Sequence, residues 1–328
     1  MRAVSTKFKK YLFAAVILSM SAIADCNAQA IDKKKALKNF ELAQMLQFNA
    51  NLQGAAAALR QAISFNHDFY DAHLQLANLE AKLGEKDQAI KEFQELVRLR
   101  PADVPARLAL GTALRSSNRN QEAVTTFKVA SSLPHSGYEP ETQLAFTYIE
   151  ADDLEPAINQ FEKLLKIDPN SVANLLGLSI AQFRQGDSEH SKQSLEKVLQ
   201  LNPREATAIS LRGDLEVAAG NPDAGIADYR KAISIDNRFA QPYIALGNLY
   251  LKKNAFAESE TVFQSAFDNC AANFDITCGL ALAEENLSHL EKAISLYEQA
   301  LHMERSADKQ RQIKIHVQQL TDNRTPKS

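Results

Sequence analysis

The residues able to do chemistry are few and scattered. Seven histidines are spread along the chain: His67, His73, His135, His190, His289, His302 and His316. No two stand four apart with a glutamate beside the first, the spacing that puts two imidazoles and a base on one helical face for zinc. The three cysteines contain no Cys-x-x-Cys pair. No GxSxG elbow raises a serine for nucleophilic attack. The eleven glycines build no phosphate-cradling loop. Charged neighbours such as Glu291 and Lys292 read as solvated helix surface. These residue types offer no catalytic set, no cofactor site and no metal ligand cluster, so the chain reads as a non-enzyme.

The first thirty residues differ from the rest. Arg2, Lys7, Lys9 and Lys10 form a positive start, and an apolar stretch runs from Tyr11 to Ala24. Small-x-small sites follow at Ala22-Ile23-Ala24 and Ala28-Gln29-Ala30. This is the layout of a secretory signal peptide. Fourteen apolar residues fall short of the roughly 20 that span a bilayer as a helix. Cleavage after Ala30 is favoured, cleavage after Ala24 comes next, and retention as an N-terminal anchor is the remaining alternative. Asp25 before Cys26 argues against lipid attachment. The expected location is the bacterial periplasm.

Cleavage after Ala30 removes four basic residues and one acidic one, leaving 33 Lys and Arg against 39 Asp and Glu, a net charge of −6. A mildly acidic chain has no bulk attraction for nucleic acid. Cys270 and Cys278 remain. An export compartment is oxidising, so a bridge between them is chemically allowed; two small, separate thiols are the alternative.

Elements that could position a site come from a strict period. A small residue recurs every 34 positions: Ala55, Ala89, Ala123, Ala157, Ser191, Gly225, Ser259 and Ala293. A second small series runs through Ala43, Ala77, Gly111, Ala145, Ser179, Gly213, Gly247 and Ala281. Large residues keep the same beat: Leu42, Leu76, Leu110, Leu144, Leu178, Leu246 and Leu280, then Leu59, Phe93, Phe127, Phe161, Leu195, Tyr229, Phe263 and Tyr297. Arg212 interrupts the leucines. Within 70–103, His73, Leu76, Ala77 and Glu80 share one helical face, Gly84 breaks the helix, and Ala89, Phe93, Leu96 and Val97 stripe a second one. Each window is a helix hairpin that buries its inner faces only by stacking on its neighbours. No proline falls in a helix interior, where it would cost about 3 kcal/mol.

This pattern resembles the tetratricopeptide repeat over eight windows, starting at 36, 70, 104, 138, 172, 206, 240 and 274. The closing proline departs at His67, Asn237, Ala271 and Arg305. The expected organisation is a signal peptide at 1–30, an all-α solenoid at 31–307, and a capping helix with a frayed tail at 308–328. Ile313, Val317 and Leu320 form the inner face of that helix. The resemblance implies a right-handed superhelix with a concave groove lined by the first helix of each hairpin.

On the same resemblance, groove-facing places fall at Phe146, Ile149, Ile180, Phe183, Arg184, Asp214, Val217, Asn248 and Leu251. Leu282, Thr112 and Arg115 join them, with Leu108 and Ile244 deeper. Phe146 and Phe183 are the expected anchors. The implied function is a non-catalytic protein-interaction scaffold of the bacterial cell envelope, holding an extended peptide or a partner helix. Polysaccharide export, pilus biogenesis and outer-membrane assembly are the settings this suggests. The alternative is a regulatory accessory subunit of an envelope glycosyltransferase or peptidoglycan enzyme. The expected partners are envelope assembly proteins, with no nucleic acid and no membrane insertion after signal cleavage.

Overall fold

A computed structural model describes residues 29–324, apart from 135, 272 and 305. The expected signal segment up to residue 28, with Cys26, lies outside the described residues, as does the tail from 325. The chain divides into two compact units between Asp153 and Leu154.

The first unit contains α1 (29–48), α2 (Leu52–Phe65), α3 (Tyr70–Leu83), α4 (Lys86–Leu99), α5 (Val104–Ser116), α6 (Asn120–Ser131) and α7 (Glu139–Glu150). The second contains α8 (Leu154–Ile167), α9 (Val172–Gln185), α10 (Ser188–Leu201), α11 (Ala206–Ala218), α12 (Pro222–Ile235), α13 (Ala240–Lys252), α14 (Phe256–Asn269), α15 (Phe274–Asn286), α16 (Leu290–Met303) and α17 (Ala307–Arg324). No strand occurs among the described residues. Each unit is a run of stacked helix hairpins, as the period predicts.

Turn chemistry repeats with the same beat. One residue between the two helices of each hairpin within a unit has a positive φ: Ala50, Gly84, Asn118, Gly186, Gly220, Asn254 and Ser288; Asp152, after α7, shares it. Glycine enters this left-handed region without penalty, whereas a side chain costs about 1 kcal/mol there. Side-chain caps then fix where helices start. Asp103 accepts from the Ala106 amide at 3.0 Å at the head of α5, and Asp187 does the same for His190 at α10.

The small series marks where helix axes come closest. A Cβ added at Gly111 would lie 2.5 Å from the Phe127 ring, and one at Gly247 2.5 Å from Phe263. Where the second helix carries serine, its hydroxyl donates to a carbonyl of the first helix: Ser191 to Ser179 at 2.9 Å and Ser259 to Gly247 at 3.0 Å. Leu59, Phe127, Phe161 and Phe263 are fully buried beside these contacts.

Three features depart from the sequence expectation. Leu42, expected as interior filling, is 45% exposed, because no described hairpin precedes α1 to cover it. Arg212 enters the leucine series with a matched partner: its guanidinium donates twice to Asp228, at 2.8 and 2.5 Å. Helix α17 runs to Arg324, into the segment expected to hold the frayed tail. Its Ile313, Val317 and Leu320 pack on Phe263, Leu280 and Leu296. His316 and Tyr297 both hydrogen-bond the Glu285 carboxylate, at 2.8 and 2.9 Å.

Candidate functional site

In the first unit, α3, α4 and α5 enclose a cleft of about 500 Å³. Its floor is Ala89 and Phe93, both buried core residues of α4. Its walls are Ala81 on α3 and Leu108, Ala109 and Ala113 on α5, with Asn78, Thr112, Lys86 and Ser116 at the rim. The Lys86 ammonium donates to the Ser116 carbonyl, pinning α4 to the end of α5.

A second cleft, of about 380 Å³, adjoins it and shares Asn78. Gln47, Leu52, Gln75, Leu79 and Lys82 complete its lining. The Gln75 Oε1 atom is buried there with no hydrogen-bond partner. A buried acceptor left unpaired costs about 1–3 kcal/mol. Asn78 is exposed between the two hollows and offers an amide donor and an acceptor. An apolar floor with an Asn, Gln and Lys margin suits an extended chain carrying backbone amides and apolar side chains.

The first cleft opens where a side chain is small. Ala81 occupies the place that later hairpins give to Ile149, Phe183, Val217 and Leu251. Ile149, Val217 and Leu251 occupy their grooves. Ile149 in α7 is only 6% exposed, so it belongs to the core and not to a binding surface. Val217 in α11 packs with the Tyr229 and Leu246 cluster, and its Cγ2 would lie 2.5 Å from a Cβ at Gly225. Leu251 in α13 packs on the Phe263 cluster.

Asp214, expected at a polar groove margin, is half-buried and accepts from the Tyr229 hydroxyl at 2.6 Å. Burial holds its carboxyl above the usual range, against the opposing effect of that hydrogen bond. It is therefore committed within its own hairpin. Phe146 in α7 and Ile180 in α9 are half-buried. Phe183 in α9 is also half-buried and rests against the Leu175 and Leu195 cluster. Arg184, Asn248 and Leu282 are exposed.

Cys270 and Cys278 are both free thiols, so the allowed bridge is not formed. They face different neighbours. Cys270 Sγ approaches the Asn237 carbonyl at 3.9 Å, while Cys278 lies among Asp275, Glu304 and Lys309. Burial pushes the Cys278 thiol up to about 11, which leaves it protonated and unreactive at neutral pH. Among the described residues, no group of three or more His, Cys, Asp or Glu could hold a metal ion. No described helix is long and apolar enough to cross a membrane.

Stacked hairpins that present a furrowed helical surface define a repeat scaffold of the protein-interaction class. Family models agree. Tetratricopeptide repeat models match 142–171 and 176–239. A bacterial transcriptional activator domain model matches 21–150. The chain carries tetratricopeptide repeats over 142–171 and 176–239.

Relatives are distant. DnaJ homolog subfamily C member 3 of Gallus gallus is 23% identical over 228 residues, 69% of this chain. This chain spans only 40% of that relative's length. A tetratricopeptide repeat protein from Parabacteroides merdae ATCC 43184 superposes with a TM-score of 0.58 at 18% identity, covering 76% of this chain and 98% of that one. PilW, described as a widely conserved type IV pilus biogenesis factor, superposes with a TM-score of 0.51 at 16% identity, covering 63% and 96%. These likenesses show the fold alone.

Proposed function

We propose that this chain is a non-catalytic scaffold of the bacterial cell envelope that holds an extended segment of a partner protein along its first helices. The observation that carries this reading is the pair of clefts joined at Asn78, with an apolar floor and a polar Asn, Gln and Lys margin. An extended segment crossing both clefts would place an apolar side chain over Phe93 and its backbone amides beside Asn78. In the second unit, Ile180, Phe183, Arg184 and Asn248 offer a further mixed surface. The N-terminal thirty residues support export and a periplasmic location. The likeness to PilW lends support to a role in pilus or outer-membrane assembly.

The test is capture of partners from an envelope extract with the chain carrying Leu108→Asp and Thr112→Lys. Loss of the captured proteins, with helicity unchanged, supports the reading. Unchanged capture would remove the clefts from it. Mass spectrometry of the protein's N-terminus in its native host tests export: a chain beginning at Ile31 or Asp25 is the expected result.

A further inference from the structure

The N-terminal helix leaves an apolar face uncovered. On α1, Phe48 is 91% exposed, Met45 64%, Ile31 56%, Leu37 51% and Leu42 45%. The repeat register says what that face is. Leu76 and Leu79 stand 34 residues after Leu42 and Met45, and they are 1% and 5% exposed. They are buried because α2 of the preceding hairpin lies across them, with Ala55, Leu59 and Ala62 in the same cluster. The open face of α1 is therefore built to receive a helix.

Charge says how that helix must run. Lys33, Lys34, Lys35 and Lys38 crowd the N-terminal half of α1, all exposed, whereas 42–51 carries no charge. Two copies of α1 side by side in parallel would set lysines against lysines. In antiparallel order each lysine cluster lies beside the partner's uncharged half and its helix C-terminus, where a cation is favoured. Glu41 then falls roughly 7.5 Å along the axis from the partner's Lys38. The other end of the chain does not compete: α17 presents Lys309, Arg311, Lys314, Gln318 and Gln319 as exposed residues.

The area suffices. With about 200 Å² for a large side chain, these five expose roughly 600 Å² per copy. Ile31 lies past the end of the partner's α1, so the other four bury about 500 Å² per copy, about 1,000 Å² in all, the area a specific interface must clear. We propose that the chain forms a two-fold dimer through antiparallel pairing of α1 with α1 of a second copy, centred near Leu42.

The experiment is sedimentation of the full chain across the micromolar range, beside Met45→Glu/Phe48→Glu and, as a control on α17, Ile315→Glu. The proposal predicts a dimer for the parent chain and the control. It predicts a dissociation constant raised about a hundredfold in the double variant, with unchanged helicity. In a background of Cys26→Ser, Cys270→Ser and Cys278→Ser, Leu42→Cys should cross-link to its own copy on oxidation. Ile31→Cys should not, because its two copies stand roughly 33 Å apart along the axis. A parent chain that stays monomeric, whether or not residues 11–24 are what covers α1, overturns the proposal. So does a dimer that survives the double variant, or one in which Ile31→Cys cross-links as readily as Leu42→Cys.

Discussion

Replacing Gly279 with alanine should destabilise the chain, and the same change should stabilise it once Phe263 is gone. Phe263 in α14 is fully buried between two glycines. A Cβ at Gly247 would lie 2.5 Å from its ring, and one at Gly279 2.3 Å. The ring cannot retreat from one without meeting the other helix. Alanine at 279 gains about 1 kcal/mol of helix propensity. It also overpacks a rigid aromatic wedge, which costs about 1–3 kcal/mol, here toward the upper end. The expected net effect is a loss of about 2 kcal/mol. Phe263→Ala alone should cost about 3–5 kcal/mol through the cavity it leaves. In that background the clash is absent, so Gly279→Ala should return about 1 kcal/mol. The coupling between the two sites is then about 3 kcal/mol. Urea unfolding of the four chains, followed by far-ultraviolet circular dichroism, measures it. If Gly279→Ala has the same sign in both backgrounds, the wedge account is wrong.

Three further outcomes follow from the geometry. His73 is buried with Nδ1 facing Glu92 at 2.5 Å and Nε2 facing the His67 carbonyl at 2.9 Å, so the protonated ring can donate to both acceptors. Burial works against that charge, but the bonds to Glu92 and His67, with Glu95 nearby, hold its pKa above the ordinary value. Its contribution is complete below about pH 6.5 and lost as pH rises through the higher folded value. The urea midpoint advantage of the parent over His73→Gln should therefore shrink between pH 6 and pH 9, and a constant advantage would contradict this. Asp228→Ala should cost about 1–3 kcal/mol by stranding Arg212, whereas Arg212→Leu with Asp228→Ala should recover most of it; thermal melts of both decide. Ala50→Gly should raise stability by about 1 kcal/mol, read as a higher urea midpoint, because Ala50 holds a left-handed backbone at φ 58°.

The helices and their phase were legible because they rest on residue size at fixed spacing. Small residues at 77, 111 and 145 and large ones at 93, 127 and 161 recur as letters, and the fold follows from them. The first cleft was harder to see because it arises from what is missing. A search for large apolar anchors leads to Ile149, Val217 and Leu251, which fill their own grooves. Ala81, the short residue at the same repeat place, is where the surface opens. The usable signal was a break in the size series, not its continuation.

Polar latches between hairpins were illegible for another reason. Arg60 donates to Glu80 at 2.8 Å, Arg230 donates to the Tyr250 hydroxyl at 2.8 Å, and Lys128 sits 5.6 Å from the centre of the Tyr148 ring. All three pairs lie twenty residues apart at one repeat place, yet the chemistry differs each time. Only the register shows them as one device.

Site-specific photo-crosslinking in an envelope extract tests the central claim most directly. A photoreactive residue at Asn78 or Thr112, beside the clefts, should capture a defined partner segment. The same residue at Lys91 or Thr125, exposed on second helices, should not. Equal capture at all four positions, or capture only at Lys91 and Thr125, would contradict the assignment of partner binding to the first-helix surface.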